Sequence, residues 1–295
     1  MVLGPKLPTG RMTLMQQVAT VRIAFLGGGH MARALIGGLI RDGLPAGQIG
    51  VGEPDARARA QLEVLGVRAT DDNVEAVRGA ALVVLAVKPQ HAGEVLRSVH
   101  GALLRERPLL LSIAAGIRIA DLAAVCAPGV PIIRAMPNRP ALLGAGITAL
   151  YAPSSVPAEQ RELALFIGRA SGAAVWLRRE SELDVVTALS GSGPAYFFLL
   201  AEQMARAAQA LGLEPDTAAR LASATLHGAG VLAAEPQALS EQRAAVTSKG
   251  GTTERALQVL EERGFEQLVA GAIAAGAARS VEIADTLGAA LRGGA

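Results

Sequence analysis

A short apolar run, Val21-Arg22-Ile23-Ala24-Phe25-Leu26, stops abruptly at Gly27-Gly28-Gly29-His30-Met31-Ala32, and this junction constrains the chain more than any other stretch. A helical pattern follows at once, with Leu35, Ile36, Leu39 and Ile40 at helix spacing. Strand, G-x-G-x-x-A turn and helix in that order form the dinucleotide-binding pattern. Gly27 makes the tight turn, Gly29 lets the backbone approach a pyrophosphate, and Ala32 lets helix and strand pack closely. A glycine turn on its own serves any α/β unit. With strand and helix both in place, Gly27, Gly28, Gly29, His30, Met31 and Ala32 become candidate cofactor contacts.

Strands and helices keep alternating. Residues 49–52, 67–69, 81–87, 108–113 and 131–134 read as strands and 55–65 as a helix, which predicts a mainly parallel sheet with helices on both faces. Ligands of such sheets bind at the carboxyl ends of the strands. Strand four runs there into Ala86-Val87-Lys88-Pro89, and strand six into Met136-Pro137-Asn138. Lys88 is placed either for the cofactor's ribose and phosphates or as a solvated turn residue. Asn138 is either a polar contact on the nicotinamide side or a turn former. Glu53, just past strand two, stands where an acid hydrogen-bonds the ribose 2′-hydroxyl and repels a 2′-phosphate. Arg57 and Arg59 follow, either of them able to swing towards such a phosphate. The acid at the strand end makes NADH the better chemical fit.

After a last strand at 173–177 the pattern turns helical, over 182–189, 194–211, 216–233, 238–246, 254–263 and 265–291. Ser190-Gly191-Ser192-Gly193 separates the first two, with Pro194 at a helix start, and Tyr196, Phe197 and Phe198 read as a packed helix joint. Gly228, Gly230, Gly271 and Gly276 allow close helix approach. A second glycine turn, Val246-Thr247-Ser248-Lys249-Gly250-Gly251-Thr252-Thr253, precedes the helix that begins near Glu254. Adjacent glycines, flanking hydroxyls and a helix N-terminus suit a carboxylate or phosphate. The plainer alternative is an N-cap by Thr252 or Thr253.

Composition removes several classes. The formal net charge is +2 and the arginines are scattered, so neither nucleic acid nor an anionic membrane surface is implied. Cys126 is the one cysteine, which fits a reducing compartment and reads as an inert core residue. Four histidines (His30, His91, His100, His227) lack metal-ligand spacing, so no metal site is expected. Residues 1–20 read as a flexible extension rather than a signal peptide. No run reaches membrane-span length, and a cytoplasmic protein is expected. The predicted fold is α/β: a Rossmann-type doubly wound, mainly parallel sheet over residues 21–180, followed by an all-α dimerisation domain over 181–295. So much apolar surface on an Ala-rich helical half predicts a homodimer or a ring of dimers.

These segments together resemble pyrroline-5-carboxylate reductase over residues 21–287. Beside the first glycine turn, the resemblance rests on Ala86-Val87-Lys88-Pro89-Gln90, Arg134-Ala135-Met136-Pro137-Asn138, Ser190-Gly191-Ser192-Gly193-Pro194-Ala195-Tyr196 and the second glycine turn. It implies hydride transfer from NADPH or NADH to the imine carbon of 1-pyrroline-5-carboxylate, giving proline. It also implies that Ser248, Gly250, Gly251, Thr252 and Thr253 hold the substrate carboxylate, with Thr253 at the ring nitrogen. An intertwined dimer follows from the same likeness, its active site lying between one subunit's cofactor domain and the partner's helices. The sequence departs from the family twice. Lys249 stands where proline is usual. Glu53 stands where a small hydroxyl residue often contacts, with the position of Asn73, the 2′-phosphate of NADPH, the family's usual cofactor. A β-hydroxyacid dehydrogenase would need a basic lysine on a long helix, and from Glu182 to Gly288 the only lysine is Lys249. A related imine or F420-type reductase does not need the second glycine turn, and a non-catalytic nucleotide-binding protein would bind without turnover.

Overall fold

The computed structural model describes residues 21–293, so the expectation for residues 1–20 lies outside it. Its first strand, β1 (Ile23–Leu26), is buried at all four positions. A strand so uniformly apolar needs cover on both faces, as in the centre of a parallel sheet. Ile23 and Phe25 enter one core with Leu35, Ile36 and Leu39 of α1 (His30–Arg41). Ala24 and Leu26 point the other way, into a second core with Leu96, Leu103 and Leu122.

The chain continues through β2 (Ile49–Gly52), α2 (Ala56–Glu63), β3 (Arg68–Thr70), α3 (Asn73–Val77), β4 (Leu82–Leu85), α4 (Ala92–Ser98), α5 (His100–Glu106) and β5 (Leu109–Ser112). Next come α6 (Ile119–Val125), β6 (Ile132–Met136), β7 (Gly146–Tyr151), α7 (Ala158–Arg169) and β8 (Gly172–Trp176). One sheet results, in the order β3-β2-β1-β4-β5-β6-β7-β8. Among the described residues only the β6–β7 pairing is antiparallel. This is the doubly wound sheet expected, with one strand more. The sequence reading has no strand at β7, because β6 turns back through a short 3₁₀ segment, Arg139–Leu143, instead of a crossover helix. Gly144, at φ +72°, ends that segment. The two glycine-dependent contacts that close the sheet's flank are Gly38, where a Cβ would collide with the Ala170 carbonyl, and Gly172, at φ +133° against Gly146.

Two compact units divide the described residues: 21–187 with 279–293, and 188–278. In the first, the end of helix α13 (Phe265–Gly293) is fastened by several contacts. Leu287 and Leu291 join the second core, Arg118 meets Asp285 at 2.6 Å, and the Ser280 hydroxyl donates to Asp184 at 2.7 Å. Buried Asp121 pairs with Arg292, and Gly288 leaves the space its carboxylate occupies.

α8 (Glu182–Val186) leads into a π turn, Thr187–Gly191, and then α9 (Gly193–Ala210). The expected interruption at Ser190–Gly193 is thus a change of helical pitch. Within the second unit, the Ala188 carbonyl accepts the Tyr196 hydroxyl at 3.0 Å, while Gly276 approaches Ala188 closely enough that a Cβ would stand 3.0 Å from its side chain. Gly228, Gly230 and Gly271 face open space. Because the π turn joins two segments, Glu182–Ala210 is one helical run of 29 residues, and it is apolar enough to cross a membrane by length and composition. That corrects the expectation that no run reaches this length.

The remaining helices of the second unit are α10 (Pro215–Leu232), α11 (Leu239–Ala245), α12 (Thr252–Glu262) and the first part of α13. They bury very little. α11 and α12 contain no buried residue, and α10 only Ala218 and Ala222. Phe197 and Phe198 are 60% and 62% exposed and Leu211 is 90% exposed, so the aromatics expected to fill a helix joint lie open. An apolar surface of this kind calls for protein cover.

Cys126 is buried beside α6, and burial pushes its thiol up to about 11. Its thiolate is therefore scarce at neutral pH. Iodoacetamide at pH 8 is expected to leave the native protein unmodified and to label it fully once denatured. Since the unfolded thiol ionises first, this group contributes stability that is complete below about 9 and is lost as pH rises towards 11.

Candidate active site

Gly27 turns at φ +97°, a conformation that favours glycine, and its N–H donates to the Gly52 carbonyl at 2.8 Å. A Cβ here would lie 2.8 Å from the Ala86 carbonyl and 2.9 Å from the Val87 side chain. The turn and the end of β4 therefore touch backbone to backbone, which is how Ala86 and Val87 enter the site. Gly29 is the N-cap of α1 and has open space where a Cβ would stand. Among the described residues no side chain caps α1, so the amides of His30, Met31 and Ala32 face outward at the positive end of its dipole. This hollow can take an oxyanion.

Glu53 closes one side of it. One carboxylate oxygen accepts the Gly28 amide at 2.7 Å and the other accepts the Asp55 amide at 3.0 Å. The acid is thereby fixed before any ligand arrives. Arg59 is fixed too: it donates to the carbonyls of Glu53 and Pro54, each at 2.8 Å. Arg57 is exposed and makes no bond among the described residues, so of the two arginines only it is free to move. Asn73 opens α3 and packs against Gly52, whose missing Cβ leaves room for its amide. Lys88 is exposed and Pro89 half-buried at the start of a 3₁₀ turn. Met136 ends β6 half-buried, with Pro137 buried behind it. Asn138 is 9% exposed, and its side-chain oxygen accepts the Ile147 amide at 2.9 Å, which ties the β6 turn to β7.

The second glycine turn has its own hollow. Gly250 turns at φ +73°, and the Gly251 amide donates to the Ser248 carbonyl at 3.0 Å. Gly251 is the N-cap of α12, with no side chain closing the helix. The threonines thus leave the cap bare, unlike the plain N-cap considered from sequence. The amides of Thr252, Thr253 and Glu254 have no acceptor among the described residues. Glu254 turns its carboxylate back to the Gly250 amide at 2.7 Å. Thr252 is exposed, Thr253 half-buried, and Lys249 exposed.

A doubly wound sheet whose first glycine turn bares a helix N-terminus, with an acid at the end of β2, defines the class: a dinucleotide-dependent oxidoreductase. Comparison with known proteins agrees. Residues 22–116 match the family model described as NADP oxidoreductase, coenzyme F420-dependent, and residues 180–283 match pyrroline-5-carboxylate reductase dimerisation. A pyrroline-5-carboxylate reductase of Pseudomonas aeruginosa is 45% identical over 92% of this chain and all of its own length. One from Haemophilus influenzae is 42% identical over 88% of this chain and 97% of its own. The solved structure of one from Coxiella burnetii superposes with a TM-score of 0.86 at 38% identity, over 90% of this chain and 98% of that one. The chain belongs to the pyrroline-5-carboxylate reductase family.

Replacing Gly27 by alanine strains the left-handed turn and presses on Ala86. We expect Gly27→Ala to lose dinucleotide binding in a calorimetric titration while far-ultraviolet circular dichroism stays that of the parent.

Proposed function

We propose that the chain reduces 1-pyrroline-5-carboxylate to proline with hydride from NADH or NADPH, as the closing step of proline synthesis, working in the cytoplasm as a homodimer or a ring of dimers. The observation that carries the proposal is the pair of uncapped helix N-termini behind glycine turns, one in each unit. In this reading a dinucleotide-binding domain ends near residue 180 and the helical part that follows supplies the dimer face. The match to a dimerisation model over residues 180–283 and the thinly buried helices support that division.

The first hollow holds the diphosphate of the dinucleotide on the amides of α1, with Gly29 open for close approach. Glu53 receives the ribose 2′-hydroxyl. Ala86, Val87, Lys88, Pro89, Met136, Pro137 and Asn138 border the remainder, and Asn73 lies beside Glu53. Bound there, the cofactor supplies a hydride equivalent to the imine carbon. The second hollow holds the substrate carboxylate on the amides of Thr252, Thr253 and Glu254, with Ser248, Gly250 and Gly251 shaping the turn. Lys249, exposed beside it, adds a positive charge to the approach. A cyclic imine is protonated readily near neutral pH, so no strong acid is required of the protein. Its work is orientation and exclusion of water, and Thr253 orients the ring nitrogen.

The cofactor preference rests on Glu53. Its carboxylate is immobilised by two amides and cannot retreat from a 2′-phosphate, and Arg59 cannot swing in to neutralise one. NADH is the preferred donor on this reading, although one solved relative, from Plasmodium falciparum, has NADP bound.

Oxidation of NADH and NADPH with pyrroline-5-carboxylate tests the proposal, and saturable binding with no turnover would sink it. We expect kcat/KM to favour NADH, and Glu53→Ser to move the ratio towards NADPH by roughly tenfold or more, since like-charge contacts cost several kcal/mol. An unchanged ratio would remove Glu53 from the choice. Thr253→Ala should lower kcat by roughly ten- to a hundredfold, at ~1.4 kcal/mol per tenfold. Turnover equal to the parent's would remove Thr253 from the mechanism.

A further inference from the structure

Arg134 lies two residues before Met136 in β6 and has no task in the function proposed above. Its side chain is 9% exposed, a costly place for a guanidinium unless it is paired. The partner is Glu180, whose Oε1 accepts from Arg134 at 2.9 Å. The same oxygen accepts the backbone amide of Ile119 at 2.8 Å. Ile119 opens α6, whose N-cap Arg118 offers no side-chain acceptor, so the carboxylate settles an orphan amide at the favourable end of the helix dipole. Glu180 also begins the turn into α8, where its own carbonyl accepts the Leu183 amide at 3.0 Å.

One residue therefore ties three segments together, two through its carboxylate and the third through its own backbone carbonyl. The first is β6, just before the Met136–Asn138 turn. The second is the far end of the loop that leaves β5, and the third is the approach to α8. β5 and β6 are parallel neighbours, so both loops leave the carboxyl edge of the sheet. We propose that Glu180, acting through Arg134 and Ile119, is a positioning residue for hydride transfer: it sets the β5 and β6 loops against the nicotinamide. This rests on the reading that places Met136, Pro137 and Asn138 on the nicotinamide side. Glu180 touches neither substrate nor cofactor in it.

The test separates the nicotinamide from the rest of the dinucleotide by using ADP-ribose, which lacks the ring. For Glu180→Ala, kcat should fall roughly ten- to a hundredfold, the scale of a small misplacement of reacting groups. The primary isotope effect on kcat with C4-deuterated NADH should rise, while ADP-ribose affinity stays within about twofold because its contacts lie at the distant glycine turn. Glu180→Gln keeps an acceptor for both donors and should recover most of kcat. If Glu180→Ala does not fold, Glu180→Asp, shorter by one methylene, carries the same expectation at smaller size. Unchanged kcat, or parallel losses of ADP-ribose affinity, NADH affinity and Tm, would overturn the inference by making Glu180 merely structural. If the parent enzyme turns over no pyrroline-5-carboxylate, the functional reading fails separately. The ratio of NADH to ADP-ribose affinity then decides: Glu180→Ala must weaken only the former.

Discussion

Backbone meets backbone where the Gly27 turn lies on the Ala86 carbonyl, and the rest of the first unit is arranged around that contact. No side chain fits between the two, so the loop between β1 and α1 can sit directly over the end of β4. The helix then starts at Gly29 with nothing in front of it, and Glu53 reaches the Gly28 amide from β2. Three adjacent strand ends are thereby drawn together by the absence of a methyl group. The two cores on either face of the sheet hold those ends still.

The second unit is constrained by what it lacks. Its helices bury a handful of small residues and leave leucines and phenylalanines in the open, so its own contacts do not account for its stability. Residues 180–283 match a dimerisation family model, and on the function proposed above the missing core is supplied by a second copy of the chain. The carboxyl-terminal part of α13 is different in kind, since buried Asp121, Arg118 and Asp184 bind it to the sheet-bearing unit.

What could be read in the sequence was whatever depends on local conformation or on strict periodicity. The Gly27 turn, the buried β1 and β4 and most of the helices are of that type. Features that depend on distant partners were not legible. β7 is not legible even though Ile147, Thr148 and Tyr151 favour strands. It follows β6 through the short Arg139–Leu143 turn without the helix that separates most of the other strands, and its strand identity comes from pairing with β6 and β8. The role of Asn138 in anchoring Ile147 follows from that same pairing. Restraint of Arg59 by the carbonyls of Glu53 and Pro54, which leaves Arg57 alone to move, is close in sequence but depends on how the turn after β2 aims those carbonyls, which residue type does not encode. Glu180 and Arg134 are 46 residues apart, and neither carries a local sign of the other. Aromatic residues need cover, which is why Phe197 and Phe198 read as a packed joint in sequence, and the described residues of one chain do not supply that cover.

The π turn at Thr187–Gly191 has a geometric effect beyond joining two helices. It holds one residue more than an α-helical turn, and each residue advances a helix by about 100°. All side chains downstream on α9 are therefore swung about the axis by that amount relative to an uninterrupted helix. The direction in which Tyr196, Phe197 and Phe198 look is thus encoded by a residue count upstream of them. A lineage that lost one residue there could re-aim the entire apolar stripe at a stroke while leaving every amino acid on it unchanged.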